Sequence, residues 1–353
     1  MAYQDCLRII GPLERRSMEV ARRRQMALTK PPGSLGRLEE LSVLLAGMTG
    51  QTRPRLNEKA VILMAADHGV AAEGVSAYPA EVTAQMVANF ARGGAAINVL
   101  ARAAGVRVVT VDMGVRAPLG EFPNVRSLRV GPGTRNFLHE PAMTRQEAVL
   151  TIETGIAVAL EERSRGLDLV ATGDMGIGNT TAASAIIAVL AGCTPVQVTG
   201  PGTGLEPARI TQKAQVIGKA LERHRPDPQD TVDVLSKVGG FEIGGLAGVI
   251  LGAAAHRIPV VLDGFIAAAA ALLAVRLAPE AGAFLIAGHR SAEPGHRIAL
   301  KALELEPLLE LELRLGEGTG AVLAMPLVEA AARLLDEMAT FEEAGVSDRP
   351  DPA

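Results

Sequence analysis

Apolar residues along this chain come in two rhythms that take turns. Short apolar runs such as AVILMAA (60–66), VRVVTVDMG (106–114), LDLVAT (167–172), IPVVLD (258–263) and GAFLIAG (282–288) read as strands. AVILMAA is continuous, as in a strand covered on both faces. Between them lie segments with helical spacing: 82–105, 144–164, the stretch after residue 179, the amphipathic 210–225, 244–256, 265–278 and 296–306. This alternation predicts an α/β fold, a mostly parallel sheet of about six strands with helices on both faces. Residues 4–29 read as one arginine-rich surface helix. Pro31, Pro32 and Gly33 then break the chain, and Ser34 caps a helix through Leu45. A long Pro/Gly loop is expected to about residue 142, and residues 320–346 read as one long helix with a polar tail.

The same strands share an ending. They run into DHG (67–69), DMG (112–114), GDMG (173–176), DG (263–264) and GHRS (288–291). One Asp-Gly is ordinarily a turn. Five such groups past strand C-termini mark the rim where open α/β sheets bind ligands.

Composition narrows what that ligand is. The 353 residues suffice for one large domain or two modest ones. They are 48% hydrophobic with no Trp and 3% aromatics, so the core is built from Ala, Val, Leu and Ile. A net charge of −4 argues against a nucleic-acid partner, and scarce aromatics argue against base stacking, which leaves a small molecule. Cys6 and Cys193 sit in no CxxC or Cys/His cluster, so no disulfide framework is expected and the compartment is a reducing cytoplasm. The N-terminal stretch carries acidic residues and no apolar h-region of a signal peptide. The run FIAAAAALLAV (265–275) is too short to span a bilayer, so no membrane partner is expected.

Most standard motifs fail. GDMGIGNTT (173–181) lacks the lysine of a P-loop, the dinucleotide fingerprint is missing after the first strand, and no GxSxG elbow occurs. His68, His289 and His296 show no metal-ligand spacing, and no metal or cofactor is called for. What GDMGIGNTT offers is strand, glycine loop and helix N-terminus, a geometry that presents backbone N–H groups to an anion such as phosphate. A tight turn with no ligand is the plainer alternative. Two further glycine loops follow, GPGTG (200–204) and LGEGTGA (315–321). Glu317 lies inside the last, just ahead of an apolar helix, and two readings stand side by side. It is a dipole-stabilised cap, or, in an apolar pocket, a carboxylate of raised pKa able to take a proton.

The motifs KPPGSLGRLEELS, ADHGV, YPAEVTAQMVANFARGGAAINVLAR, GDMGIGNTT, GPGTG, GGFEIGG, DGFI, GHRSAEPGH and RLGEGTGA, in this order from about residue 26 to 346, resemble the nicotinate-nucleotide–dimethylbenzimidazole phosphoribosyltransferase family. The resemblance implies transfer of the 5-phosphoribosyl group from nicotinate mononucleotide to 5,6-dimethylbenzimidazole, in cobalamin lower-ligand assembly. It implies a homodimer, a Rossmann-like catalytic domain over 26–324, and a small helical domain from 1–25 and 325–353. Carried over by motif, Glu317 is the general base. Gly176, Ile177, Gly178, Asn179, Lys213 and Ser291 close around the phosphate. Asp174, Thr203 and Asp263 lie on the ribose and nicotinate side; Asp174 stands where some relatives carry Glu, with a shorter reach. Tyr78, Pro79, Glu81, Gln85 and Leu315 surround the benzimidazole. Two other functions fit the phosphate loop less well: a non-catalytic nucleotide sensor, with no use for Glu317, and a dehydrogenase, which lacks its fingerprint.

Overall fold

Each of the five apolar runs forms a strand, and all of them lie in one sheet. The computed structural model describes residues 1–120 and 122–347; Glu121, in the expected Pro/Gly loop, and residues 348–353 of the expected tail and small domain lie outside them. The chain enters through α1 (Tyr3–Ile9), α2 (Arg15–Ala27) and α3 (Arg37–Thr49), then β1 (Lys59–Ala66), α4 (Val82–Arg92), α5 (Ala96–Ala104), β2 (Arg107–Gly114) and β3 (Val125–Ser127). It continues through α6 (Arg145–Ser164), β4 (Leu169–Met175), α7 (Asn179–Leu190), α8 (Pro195–Val198), α9 (Pro207–His224), α10 (Thr231–Val238) and α11 (Phe241–Ala255). The last elements are β5 (Val260–Leu262), α12 (Phe265–Leu277), β6 (Leu285–Ala287), α13 (Pro294–Ala302), α14 (Thr319–Glu337) and α15 (Phe341–Ala344).

Four local expectations change. The single helix over 4–29 is two, because Gly11–Pro12 interrupts it; α2 restarts where the Glu14 carboxylate accepts from the N–H groups of Arg16 and Ser17 at 3.1 and 2.6 Å. The helix over 82–105 breaks at Gly93, which takes a left-handed φ of 78°. The long loop before residue 142 contains β3, whose three residues are too few for a period to show. The C-terminal helix stops at Met338, and α15 begins after Thr340, whose hydroxyl accepts the Glu343 N–H at 3.1 Å.

Strand order is β3-β2-β1-β4-β5-β6, with every pair parallel. All six C-terminal ends therefore share one edge. The order reverses between β1 and β4, the switch point at which open α/β sheets form a crevice. Every residue of β1 is buried, which matches its lack of alternation. Nearly all of α11 and the start of α12 are buried too, so these alanine-rich helices belong to the core. A separate small cluster of Ala21, Val43, Ala46 and Leu335 ties α2 and α3 to the end of α14. That last helix runs from the sheet's C-terminal edge to this cluster. Among the described residues no helix is long and apolar enough to cross a membrane.

Candidate active site

At the switch point, β4 hands over to α7 through Gly176–Gly178. A Cβ on Gly176 would collide with the Ala66 carbonyl of β1, so only glycine lets the turn lie this close to the neighbouring strand. Gly178 caps α7 at φ 97°, a left-handed conformation that L side chains rarely adopt. Within the turn the Asn179 N–H returns to Gly176 O at 3.0 Å, and the Ile177 N–H goes to the Thr83 hydroxyl at 3.1 Å. Among the described residues the amides of Gly178 and Thr180 have no acceptor in the chain. Unpaired N–H groups at a helix start are an anion site.

Beside this turn lies a cavity of about 570 Å³. Asp174, Asn179, Thr203, Ser291, Leu315 and Tyr78 line parts of it, so three loops that follow strands meet there with two that join helices. A larger cavity of about 690 Å³ opens between α2, α3 and the β6 edge, and none of the expected site residues lines it. Chemistry therefore points to the smaller one.

Lys213 does not sit on a solvated helix face. It is fully buried, and its Nζ donates to the Thr180 hydroxyl at 2.7 Å, beside Gly202. Burial, partly offset by the Glu293 charge, pushes its ammonium down from 10.5 to about 8. Glu293 lines the cavity and accepts the Gly202 N–H at 2.8 Å; burial pushes its carboxyl up, against the pull of Lys213 and Arg314. Arg314 donates to Gly202 O at 3.0 Å. Glu293, Arg314 and Thr180 are cavity residues that sequence reasoning did not single out. Glu293 was within reach inside GHRSAEPGH, but nothing local says that it faces a lysine 80 residues away.

The carboxylates divide. Asp174 lines the cavity and accepts from the Asn179 side chain at 2.8 Å. Burial first, then the charges of Asp263, Glu242 and Glu317, hold it well above the usual range, while Asn179 opposes them. Glu317 lies behind Leu315 and Gly316, which form the wall, and its carboxylate accepts the Ile97 N–H at the start of α5 at 3.2 Å. Burial raises its pKa, the Ile97 N–H lowers it and Asp263 raises it. Its own amide donates to Asp174 O at 3.2 Å, so the two acids share a backbone connection. Asp263 is buried and away from the cavity wall; its oxygens accept the N–H groups of Gly318 (3.1 Å), Gly320 (2.8 Å) and Ala321 (3.1 Å).

On the remaining side, the Thr203 hydroxyl accepts the Ala77 N–H at 2.9 Å and pairs with Ser76 at 3.0 Å, fastening the Tyr78 segment to the GPGTG loop. Tyr78 and Leu315 are 56% and 59% exposed at the cavity, open apolar surface that an aromatic ligand would cover. Pro79, Glu81 and Gln85 are exposed around the start of α4 and do not line the cavity. At the strand ends, His68 Nε2 bonds Glu242 Oε1 at 2.6 Å under the Gly176 turn, while Asp112 turns back to the Gly114 and Val115 amides. The β2 motif is thus a turn and not part of the wall. Among the described residues no group of three or more His, Cys, Asp or Glu is placed to hold a metal.

A family model described as phosphoribosyltransferase matches residues 10–346. The chain is 60% identical over 346 residues to the nicotinate-nucleotide–dimethylbenzimidazole phosphoribosyltransferase of Chloroflexus aurantiacus, covering 98% of this chain and 99% of that one. It is 59% identical over 345 residues to the enzyme of the same name from Roseiflexus castenholzii, covering 98% of each. The crystal structure of CobT from Thermus thermophilus superposes with a TM-score of 0.92 at 50% identity, over 95% of this chain and 100% of that one. Near-complete coverage at this identity, on a shared fold, leaves one conclusion: the chain belongs to the nicotinate-nucleotide–dimethylbenzimidazole phosphoribosyltransferase family.

Proposed function

We propose that this protein transfers the 5-phosphoribosyl group of nicotinate mononucleotide to 5,6-dimethylbenzimidazole, giving α-ribazole 5′-phosphate and nicotinate. One observation carries the reading. At the start of α7, where the Gly178 and Thr180 amides have no acceptor among the described residues, the Thr180 hydroxyl meets the buried Lys213 at the edge of a cavity that Asp174 lines and behind whose wall Glu317 lies. An anion binds at the helix start, and a proton leaves to one of the two carboxylates.

The phosphate is taken by the amides of Gly178 and Thr180 with the Lys213 ammonium, as charge-assisted bonds in a buried setting. Ser291 approaches it from the far wall. Nicotinate departs from C1′ as a neutral pyridine nitrogen, so the bond breaks without a general acid. The acceptor's free nitrogen forms the new bond to C1′, and its N–H proton passes to a carboxylate. Glu317 is that base in our reading: its pKa is raised by burial, and a single backbone N–H holds it. Asp174 is the second reading, favoured by one fact, that it lines the cavity itself. Tyr78 and Leu315 receive the benzimidazole, and we propose, from the family resemblance, that the protein is a homodimer.

Incubating the protein with both substrates and measuring free nicotinate tests the reading. Nicotinate and ribazole phosphate should appear one for one. No release above background removes the transferase function and leaves a nucleotide-binding protein. A monomeric mass by light scattering counts against the dimer.

A further inference from the structure

The helix that follows Glu317 begins on a buried side chain. Asp263, between β5 and α12, spreads its two oxygens over the amides of Gly318, Gly320 and Ala321, three of the donors that a helix start leaves unpaired. Beside it stands His289, just past β6, with Nε2 3.4 Å from Asp263 Oδ1; both side chains are almost fully buried, and His289 lines the cavity where Asp263 does not. The His289 ring packs so close to Gly320 that any Cβ there would strike it. Among the described residues His289 Nδ1 has no partner, although it is buried. His296 packs beyond, its ring centroid 6.0 Å away. The Ser291 N–H donates to His296 Nδ1 at 2.8 Å, so His296 carries its proton on Nε2, and burial pushes this ring down to about 3, which keeps it neutral.

We propose that Asp263 and His289 are a positioning pair: Asp263 clamps the Gly316–Gly320 turn, His289 fixes Asp263 and Gly320, and together they set where Glu317 stands. The Asp263 carboxylate plays inside the protein the part that a ligand anion plays at the start of α7. Its reach extends to both acids of the site, because the turn it holds is bonded to β4 through the Glu317 N–H and Asp174 O. The charges bearing on Glu317 are Asp263 and Asp174, and α5 contributes the Ile97 N–H; His289 stands against Asp263 and also lines the cavity. The inference rests on the transferase reading for its kinetic test, but not on which of Glu317 and Asp174 is the base.

The experiment compares wild type with Asp263→Asn, His289→Ala and His289→Gln, after circular dichroism shows which variants fold. Asp263→Asn should lower kcat about 10²-fold, as a misplaced reacting group does, and change KM for the nucleotide by less than about threefold. Removing a like charge should also move the acidic limb of kcat downward by about one pH unit. A variant that merely loosened the fold would leave that limb in place. His289→Gln keeps a donor near Nε2 and should recover most of what His289→Ala loses, and this pair decides the matter if Asp263→Asn does not fold. An unmoved acidic limb overturns the inference. So does a nucleotide KM that rises as far as kcat falls, or a His289→Gln enzyme as slow as His289→Ala. If wild type itself releases no nicotinate, the function has failed and not this inference, which is then judged by carbon-13 titration of the Glu317 carboxyl. That resonance, identified by its loss in Glu317→Gln, should titrate lower in Asp263→Asn; an unchanged midpoint overturns the inference there too.

Discussion

Two glycine turns in this molecule have nearly the same local design and opposite uses. Gly176–Ile177–Gly178–Asn179–Thr180 opens α7, and Gly316–Glu317–Gly318–Thr319–Gly320 opens α14. Their helix caps are both left-handed glycines, with φ 97° at Gly178 and 89° at Gly318. The bond that closes each turn is also equivalent: Asn179 N to Gly176 O at 3.0 Å, and Thr319 N to Gly316 O at 3.1 Å. The difference lies in the amides. In the second turn Asp263 occupies those of Gly318 and Gly320; the equivalent amides of Gly178 and Thr180 in the first have no acceptor among the described residues. One turn carries its own anion, and the other is the one proposed to bind a ligand's. The internal carboxylate thus demonstrates the geometry in which the external phosphate is expected to sit.

The largest effect should come from the acid on the self-satisfied turn. Glu317→Gln keeps shape and the Ile97 contact but takes no proton, so kcat should fall by about 10²–10⁴-fold with both KM values little changed. Asp174→Asn is the control in single-turnover assays: if it costs more than Glu317→Gln does, the base is Asp174 and the roles exchange.

Valine at the two caps separates the turns. Gly178→Val removes amide contacts to a charged group worth about 1.5–3 kcal/mol each, so KM for the nucleotide should rise about 10²-fold while KM for the base holds. Gly318→Val meets Val61 Cγ2 at 2.7 Å and should lower stability by about 1–3 kcal/mol, with loss of kcat. Equal rises in both KM values for Gly178→Val would show that the first turn is not dedicated to phosphate.

Lys213→Ala should raise the nucleotide KM by about 10–50-fold, losing one charge-assisted bond. The pH dependence has a definite sign. In the proposed cradle the ammonium is the form that binds phosphate, and it is lost as pH rises through about 8. Nucleotide KM in wild type should therefore climb above that pH, while the phosphate, with a second pKa of about 6, is already a dianion. In Lys213→Ala the profile should be flat there, and a parallel climb would mean that another group titrates.

The smallest change expected is at the mouth. Thr203→Val releases the Ala77 amide and the Ser76 hydroxyl, and at about 1 kcal/mol for a neutral bond the KM for the base should rise only about fivefold. An effect on the nucleotide instead would move Thr203 to the donor side.

Much of the architecture was legible in the chain because its cause is local. Short apolar runs marked the strands, the continuous one at β1 because a strand covered on both faces has no polar side to display, and their Asp-Gly endings marked the ligand edge. Gly178 and Gly318 were readable as special positions because only glycine takes their backbone angles without strain. What the sequence left open was which groups would meet. Whether Lys213 was solvated or buried, whether Asp263 faced a ligand or a helix, and that Glu293 would answer Lys213 all depend on elements packed across tens of residues. β3 escaped because three residues are too short to show a period; the break at Gly93 had a local signal in the Gly93–Gly94 pair, masked by helical spacing on both sides of it. The two turns make the point most sharply: their local sequences specify the same empty cradle, and only packing at the end of β5 put a carboxylate in one of them.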